Sequence, residues 1–236
     1  MPSFWIGTSG YNYPEWRGSF YPDKLPEAQM LSWYAQRLNT VEINYTYYRM
    51  PNAKTLSTWD IATPGQFKLT LKAPKRITHD ARLRDCADNV RYFTETAANL
   101  GPKLGALLFQ LPPGFKQDLA LLDEFLATLP EGTCAAFEFR HGSWLNEELF
   151  ARFRARNLAL CIADSETMAT PVMVTADYAY FRLRDEGYSD DDIVGWAHRI
   201  RAATMDCKDV YVYFKHEEAG KGPQFATVFT EALARG

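Results

Sequence analysis

Eight short apolar runs recur along the chain, and each turns polar near its C-terminal end. The clearest is Phe137-Glu138-Phe139-Arg140-His141, where apolar and charged residues alternate. Strand geometry sends Phe137 and Phe139 to one face and Glu138 and Arg140 to the other. Val41-Glu42-Ile43-Asn44 and Leu69-Thr70-Leu71-Lys72 show the same period of two. Charge aimed at one face, at the same end of successive strands, marks a site.

The pattern predicts strands at Phe4–Ser9, Thr40–Tyr45, Phe67–Ala73, Ala106–Leu111, Cys134–Arg140, Leu158–Asp164, Tyr178–Leu183 and Val210–Lys215. Helical spacing of apolar residues appears between most of them, over Ala28 to Leu38, Asn89 to Leu100, Leu119 to Leu129 and Glu147 to Asn157. Ser189 with Asp192 has the form of a capping box opening a helix through Trp196 and Ile200. The stretch from Ser165 to Asp177 is too short and irregular for a helix, so the crossover after strand six is expected to be short or missing. Eight strands alternating with helices predict an α/β fold, a single (β/α)8 TIM-type barrel over residues 1–236. An open doubly wound sheet is the competing arrangement, but no GxGxxG follows the first strand.

Composition narrows the setting. A chain of 236 residues has an ordinary length for one such barrel, and 47% hydrophobic residues supply a sizeable core. A formal charge of −3 provides no bulk attraction to nucleic acid or anionic membrane, so any anion site must be local. Cys86, Cys134, Cys161 and Cys207 form no CxxC pair and fit a reduced, cytoplasmic location. Pro2-Ser3-Phe4-Trp5 leads directly into a strand without a basic, apolar leader. No apolar run approaches the roughly 20 residues of a membrane span, so no membrane partner is expected.

Active sites of such barrels lie at the C-terminal ends of the strands. Inward alternation there nominates Glu42 and Asn44 on strand two, Lys72 on three, Gln110 on four, Glu138 and Arg140 on five, and Arg182 on seven. Asp164 ends strand six, but Ala159, Cys161 and Ala163 could equally be its inward set. Lys215 ends strand eight, with His216 after it. Paired charges that merely fill barrel layers would account for any one of these, since buried charge must be paired in either case. A ligand site accounts better for the set.

Several motifs at these residues resemble the YecE-like family (domain of unknown function seventy-two). They are Ile6-Gly7-Thr8-Ser9-Gly10-Tyr11 with Trp16-Arg17-Gly18, Val41-Glu42-Ile43-Asn44 with Tyr47-Tyr48, and Lys72-Ala73-Pro74 with Ile77-Thr78-His79. Leu108-Phe109-Gln110-Leu111-Pro112-Pro113, Glu138-Phe139-Arg140-His141 with Ser143-Trp144, Ala163-Asp164-Ser165 and Val212-Tyr213-Phe214 complete the match from end to end. The resemblance implies a TIM-type barrel and brings no settled reaction. Arg182-Leu183-Arg184-Asp185 and Lys215-His216 depart from the family's usual Arg-Leu-His-Gly and paired asparagines, so roles tied to those family residues do not carry over.

Lys72, Arg140, Arg182, Lys215 and Arg184 face Glu42, Glu138 and Asp164 across the predicted mouth, a balance suited to phosphate or carboxylate. Gly220-Lys221-Gly222-Pro223 could cradle an anion at a helix start. Tyr11, Trp16 and Trp144 are aromatic candidates for substrate contact, and His141 is a polar one. His141, Asp164, Glu138 and His216 could converge on a divalent ion. No HxxxH or HxH spacing supports that, and Lys72 and Arg140 would crowd a cation, so no metal ligand is assigned and no cofactor is required. The leading expectation is an enzyme, a hydrolase or lyase, acting on a phosphorylated or nucleic-acid-like substrate. Glu42, Glu138 and Asp164 are its expected catalytic carboxylates, and Asn44, Lys72, Gln110, Arg140, His141, Arg182, Lys215, Tyr11, Trp16 and Trp144 its binding residues. A carbohydrate-active barrel using Glu42 and Glu138 is the alternative, as is a noncatalytic ligand-binding or adaptor module.

Overall fold

In the computed structural model, which describes residues 1–164 and 168–235, parallel ladders close eight strands into a barrel in sequence order. The strands are β1 (Ser3–Ser9), β2 (Thr40–Ile43), β3 (Lys68–Lys72), β4 (Leu104–Gln110), β5 (Ala135–Glu138), β6 (Ala159–Asp164), β7 (Tyr178–Leu183) and β8 (Asp209–Phe214). Closure comes from β8 against β1, in register from Ser3↔Asp209 to Thr8↔Phe214. Around them lie α1 (Glu27–Tyr34), α2 (Tyr45–Tyr48), α3 (Ala53–Ala62), α4 (Ala87–Ala97), α5 (Leu119–Leu126), α6 (Glu147–Arg156), α7 (Asp190–Ala203) and α8 (Lys221–Arg235). The α/β barrel expected from alternation is therefore present. No described residue between β6 and β7 is helical, and residues 165–167 of that crossover lie outside the described ones. No helix is long and apolar enough to cross a membrane among the described residues.

Helix boundaries follow local chemistry. Asn52, Asp118, Asn146 and Ser189 each accept a backbone N–H at the start of α3, α5, α6 and α7, and at Ser189 the capping box is complete. Asn157 ends α6 in the left-handed conformation, which short polar side chains tolerate. Helix α1 stops at Tyr34, four residues short of the periodic stretch, because Ala35 and Leu38 bury in the turn leading to β2.

Alternation separates two cores. Phe109, Phe137, Phe139, Val41 and Val212 point outward into the layer shared with the helices. Ala106, Leu108, Ala136, Ala159, Cys161, Tyr178, Tyr180, Tyr211 and Tyr213 fill the barrel itself. Large tyrosines from β7 and β8 thus oppose small residues from β4, β5 and β6, the interdigitation a packed barrel needs. Three of their hydroxyls bond inside it: Tyr213 shares hydrogen bonds with Thr40 Oγ1 at 2.8 Å and Thr70 Oγ1 at 2.7 Å, Tyr178 donates to the Ala135 carbonyl, and Tyr180 donates to Glu42. Gly7 allows β1 to approach β2 closely, since a Cβ there would sit 2.0 Å from the Thr40 carbonyl oxygen. Everything above this tyrosine layer forms the mouth.

Candidate functional site

Two residues past the apolar layer, at the next inward position of each strand, parity brings polar side chains together. Ser9, Glu42, Lys72, Gln110, Glu138 and Arg182 stand at the C-terminal ends of β1, β2, β3, β4, β5 and β7. At the centre lies Arg182, 1% exposed, between Glu42 (0%) and Glu138 (1%). Its Nη2 donates to Glu42 Oε1 at 2.9 Å and to Ser9 Oγ at 3.2 Å, while Nη1 donates to Glu138 Oε2. Ser9 Oγ and Tyr180 Oη donate to the two oxygens of Glu42. Gln110 Nε2 donates to Glu138 Oε2 at 2.9 Å, and Arg140 Nε to Glu138 Oε1 at 3.0 Å. Arg184 Nη1 stands 3.5 Å from the same oxygen. The two carboxylates are thus buried and fully hydrogen-bonded, the only condition under which such charge is tolerable.

This connectivity sets the protonation of Glu138. Burial by itself would raise its carboxyl, but Arg182, then Arg140, the Gln110 amide and Arg184 hold it well below the usual carboxylate range. Glu138 is therefore a permanent anion. Tyr180→Phe removes one buried donor to Glu42 while keeping the ring, and should cost about 1–3 kcal/mol in urea unfolding. A change within error would mean that Glu42 does not depend on Tyr180.

Lys72 differs from the other cations. Among the described residues its Nζ has no hydrogen-bonded or ion-paired carboxylate, and it lies 4.4 Å from the centre of the Tyr47 ring. Burial, reinforced by Arg182 and opposed by Glu42 and Glu138, lowers its pKa to about 8. His79 packs nearly perpendicular to Tyr47, ring centres 5.2 Å apart, on a π-helical turn (Arg76–Asp80) that follows β3. Burial and then the charges of Lys72 and Arg140 lower the His79 pKa, favouring the neutral imidazole. Lys215 is half-buried, its pKa lowered by burial and by Arg182 and Arg184, and its nearest acidic partner is Glu217 at 3.9 Å.

A cavity of about 130 Å³ opens beside this group, lined by Glu138, Arg140, Ala163, Arg184 and Met168 among others. The Arg184 Nε is buried there without a hydrogen-bond partner among the described residues. A second cavity, of about 260 Å³, adjoins the β1–β2 side and is lined by Tyr11, Tyr13, Asn44, Tyr45 and Trp59. Asn44 links it to the centre through Nδ2, which donates to Ser9 Oγ at 3.1 Å.

Several expected site residues lie elsewhere. Asp164 faces outward: Ala159, Cys161 and Ala163 take the inward positions of β6, and Asp164 accepts from Tyr188 Oη in the loop before α7. It cannot share a substrate with Glu42 and Glu138 from there. Trp16 is 1% exposed, packed among Tyr13, Phe20 and Tyr21, and donates Nε1–H to the Glu217 carbonyl. Trp144, fully buried, stacks on Phe139 and donates to the Phe115 carbonyl. Both are rim packing, not ligand surfaces. His141 caps the single turn Gly142–Trp144, its Nδ1 accepting the Ser143 backbone N–H. In the Gly220–Pro223 turn two amides are already used, Lys221 N donating to the Glu218 carbonyl and Gly222 N to that of His216, and Pro223 has none, which leaves no cradle of convergent amides for an anion. Among the described residues no three His, Cys, Asp or Glu side chains gather as a metal-ligand set.

Ser9, Tyr180 and His79 were not singled out by sequence, although parity alone would have placed Ser9 and Tyr180 inward beside Glu42 and Arg182.

A family model described as "Protein of unknown function DUF72" matches residues 5–236. The UPF0759 protein YecE of Escherichia coli strain K12 is 32% identical over 138 residues, 58% of this chain. That match covers 48% of the relative, so the chain spans about half of its length. The UPF0759 protein YunF of Bacillus subtilis strain 168 is 23% identical across 92% of this chain and 89% of its own. The crystal structure of a DUF72 family protein from Thermotoga maritima superposes with a TM-score of 0.88 at 26% identity, covering 98% of this chain and 99% of that one.

Proposed function

The chain belongs to the DUF72 family, whose function is unknown, and we propose that its barrel mouth is an enzyme site for a small anionic substrate bearing phosphate or carboxylate. The observation that carries this reading is the charge imbalance at the mouth. Arg140, Arg182, Arg184, Lys72 and Lys215 approach one another around two buried carboxylates, in a protein whose net charge is −3. Cations gathered against their mutual repulsion, in a partly buried mouth, are stabilised by an incoming anion. Arg140 uses Nε on Glu138, which leaves the outer edge of its guanidinium for a ligand, and the cavity beside Arg184 has room for one oxyanion group.

The acid–base role passes from the carboxylates to Lys72 and His79. Glu138 cannot take up a proton near neutral pH while three guanidiniums surround it, so its part is to hold Arg140, Arg182 and Arg184 in place. Lys72, with a pKa of about 8, can hold or release a proton near neutrality. Held as an anion, Glu138 cannot serve as the protonated acid that a glycosidase requires. A long polynucleotide is also a poor fit, because these cations lie inside the mouth and do not form an exposed stripe.

Calorimetric titration with inorganic phosphate, sulfate and short carboxylates tests the reading. Arg140→Ala, with folding checked by circular dichroism, should weaken the anions that bind by about tenfold or more, the size of one lost charge-assisted contact. Unchanged affinity for every binding anion would remove Arg140 from the site.

A further inference from the structure

We propose that Lys72 is a covalent nucleophile, condensing through its amine with the carbonyl carbon of an aldehyde or ketone whose anionic group is held by Arg140. The proposal rests on the anion-binding reading and adds the substrate class and the bond formed. Its ground is geometric. Among the described residues the Lys72 amine is the mouth cation without an acidic partner; Arg182, Arg140, Arg184 and Lys215 all have one. A partly buried ammonium without a direct ion pair is disfavoured relative to the neutral amine.

The surroundings fit an amine that reacts. Nζ sits over the face of Tyr47, and the His79 ring packs nearly perpendicular to the same tyrosine, close enough for the Lys72 charge to act on it, so an amine and an imidazole share one neighbourhood. His79 is held by Thr78 Oγ1, 2.9 Å from Nδ1, within the π-helical turn. Arg82, Leu83 and Asp85, just beyond that turn, all adopt positive φ, a costly conformation for side-chain-bearing residues. Strain of this kind, gathered next to a π-turn, is a frequent companion of functional geometry. The lowered Lys72 pKa makes the free amine accessible near neutrality.

The step balances without an oxidant or reductant. The Lys72 nitrogen lone pair forms a C–N bond to the carbonyl carbon as the carbonyl π electrons move to oxygen, which takes up a proton from solvent water to give a carbinolamine. The nitrogen loses its extra proton to the His79 imidazole. The imidazolium returns that proton to the hydroxyl, the C–O bond breaks, and water leaves as the nitrogen lone pair forms the C=N bond. Water is the sole by-product, and the iminium carbon becomes an electron sink for cleavage or proton loss at the neighbouring carbon.

Reductive trapping tests this on the intact wild-type protein. Glyoxylate, an aldehyde with an adjacent carboxylate, is added with cyanoborohydride at pH 7, and the ten lysines are scored by peptide mass mapping. Lys72 should be modified about tenfold faster than exposed Lys54, and sulfate should slow Lys72 alone. Modification of Lys72 no faster than Lys54 overturns the nucleophile, and does so independently of the phosphate titrations. Propionaldehyde supplies the second arm. If Lys72 leads the other lysines equally with this neutral aldehyde and sulfate has no effect, the amine is reactive and the anionic substrate class is overturned.

Discussion

Arg182→Met should destabilise the protein by about 3–5 kcal/mol at pH 7, the range for removing one partner of a buried ionic group. Methionine roughly fills the space but leaves Glu42 and Glu138, both essentially unexposed, without the guanidinium between them. The pH dependence should also change sign. In the wild type Glu138 is depressed in the folded state, so its stabilisation is complete above the unfolded carboxylate value near 4.5 and disappears as pH falls through the folded value. Between pH 7 and 5 that group therefore contributes no slope. Without Arg182 the largest lowering influence is gone and burial raises the carboxyl instead. A raised folded pKa loses stability as pH rises, so the variant should gain stability from pH 7 to pH 5 while the wild type does not. Urea midpoints at both pH values are the measurement. Equal midpoints for variant and wild type would mean that the ion lattice does not hold the barrel mouth together.

That lattice shows what strand alternation can and cannot convey. The period of two placed Glu42, Lys72, Gln110, Glu138 and Arg182 at the correct ends of the correct strands, because a one-residue slip would have turned every charge toward the helices. Strand β6 was ambiguous for a physical reason. Its inward positions, Ala159, Cys161 and Ala163, are small to make room for the tyrosines of β7 and β8, so Asp164 was the conspicuous polar residue although it faces out. Trp16 and Trp144 could not be sorted by type, since a tryptophan that closes the rim and one that stacks on a ligand have the same composition and similar loop positions. The Tyr180–Glu42 hydrogen bond joins residues 138 apart in sequence, and an uncharged hydroxyl gives no sign of such a partner. The π-helical turn carrying His79 has no periodic signature either, because five residues do not complete a pattern.

Glu138→Ala should be comparably damaging, by about 3–5 kcal/mol, for the opposite reason, and it should be partly repairable. Removing the carboxylate leaves Arg182, Arg140 and Arg184 facing one another around a carboxyl-sized space, with Gln110 Nε2 also deprived of its acceptor. Formate and acetate have the shape and charge of the missing group. If formate enters at millimolar affinity, 100 mM of it would be about a hundred dissociation constants, returning roughly 2.7 kcal/mol by mass action. The variant's melting temperature should therefore rise steeply with formate and hardly at all with sodium chloride at equal ionic strength, while the wild type responds weakly to both. Equal responses of variant and wild type to formate would mean that the guanidiniums do not converge as a binding site once the carboxylate is gone. The same change should reach Lys72. Glu138 is one of two carboxylates that raise the Lys72 pKa against burial and Arg182, so its loss should move that amine further below about 8. Reductive labelling of Lys72 in the variant would then persist to lower pH than in the wild type, and formate should reverse the shift by restoring the negative charge. A stability rescue and a reactivity shift that follow the same formate concentration would tie the buried ion lattice and the lysine amine to one electrostatic unit.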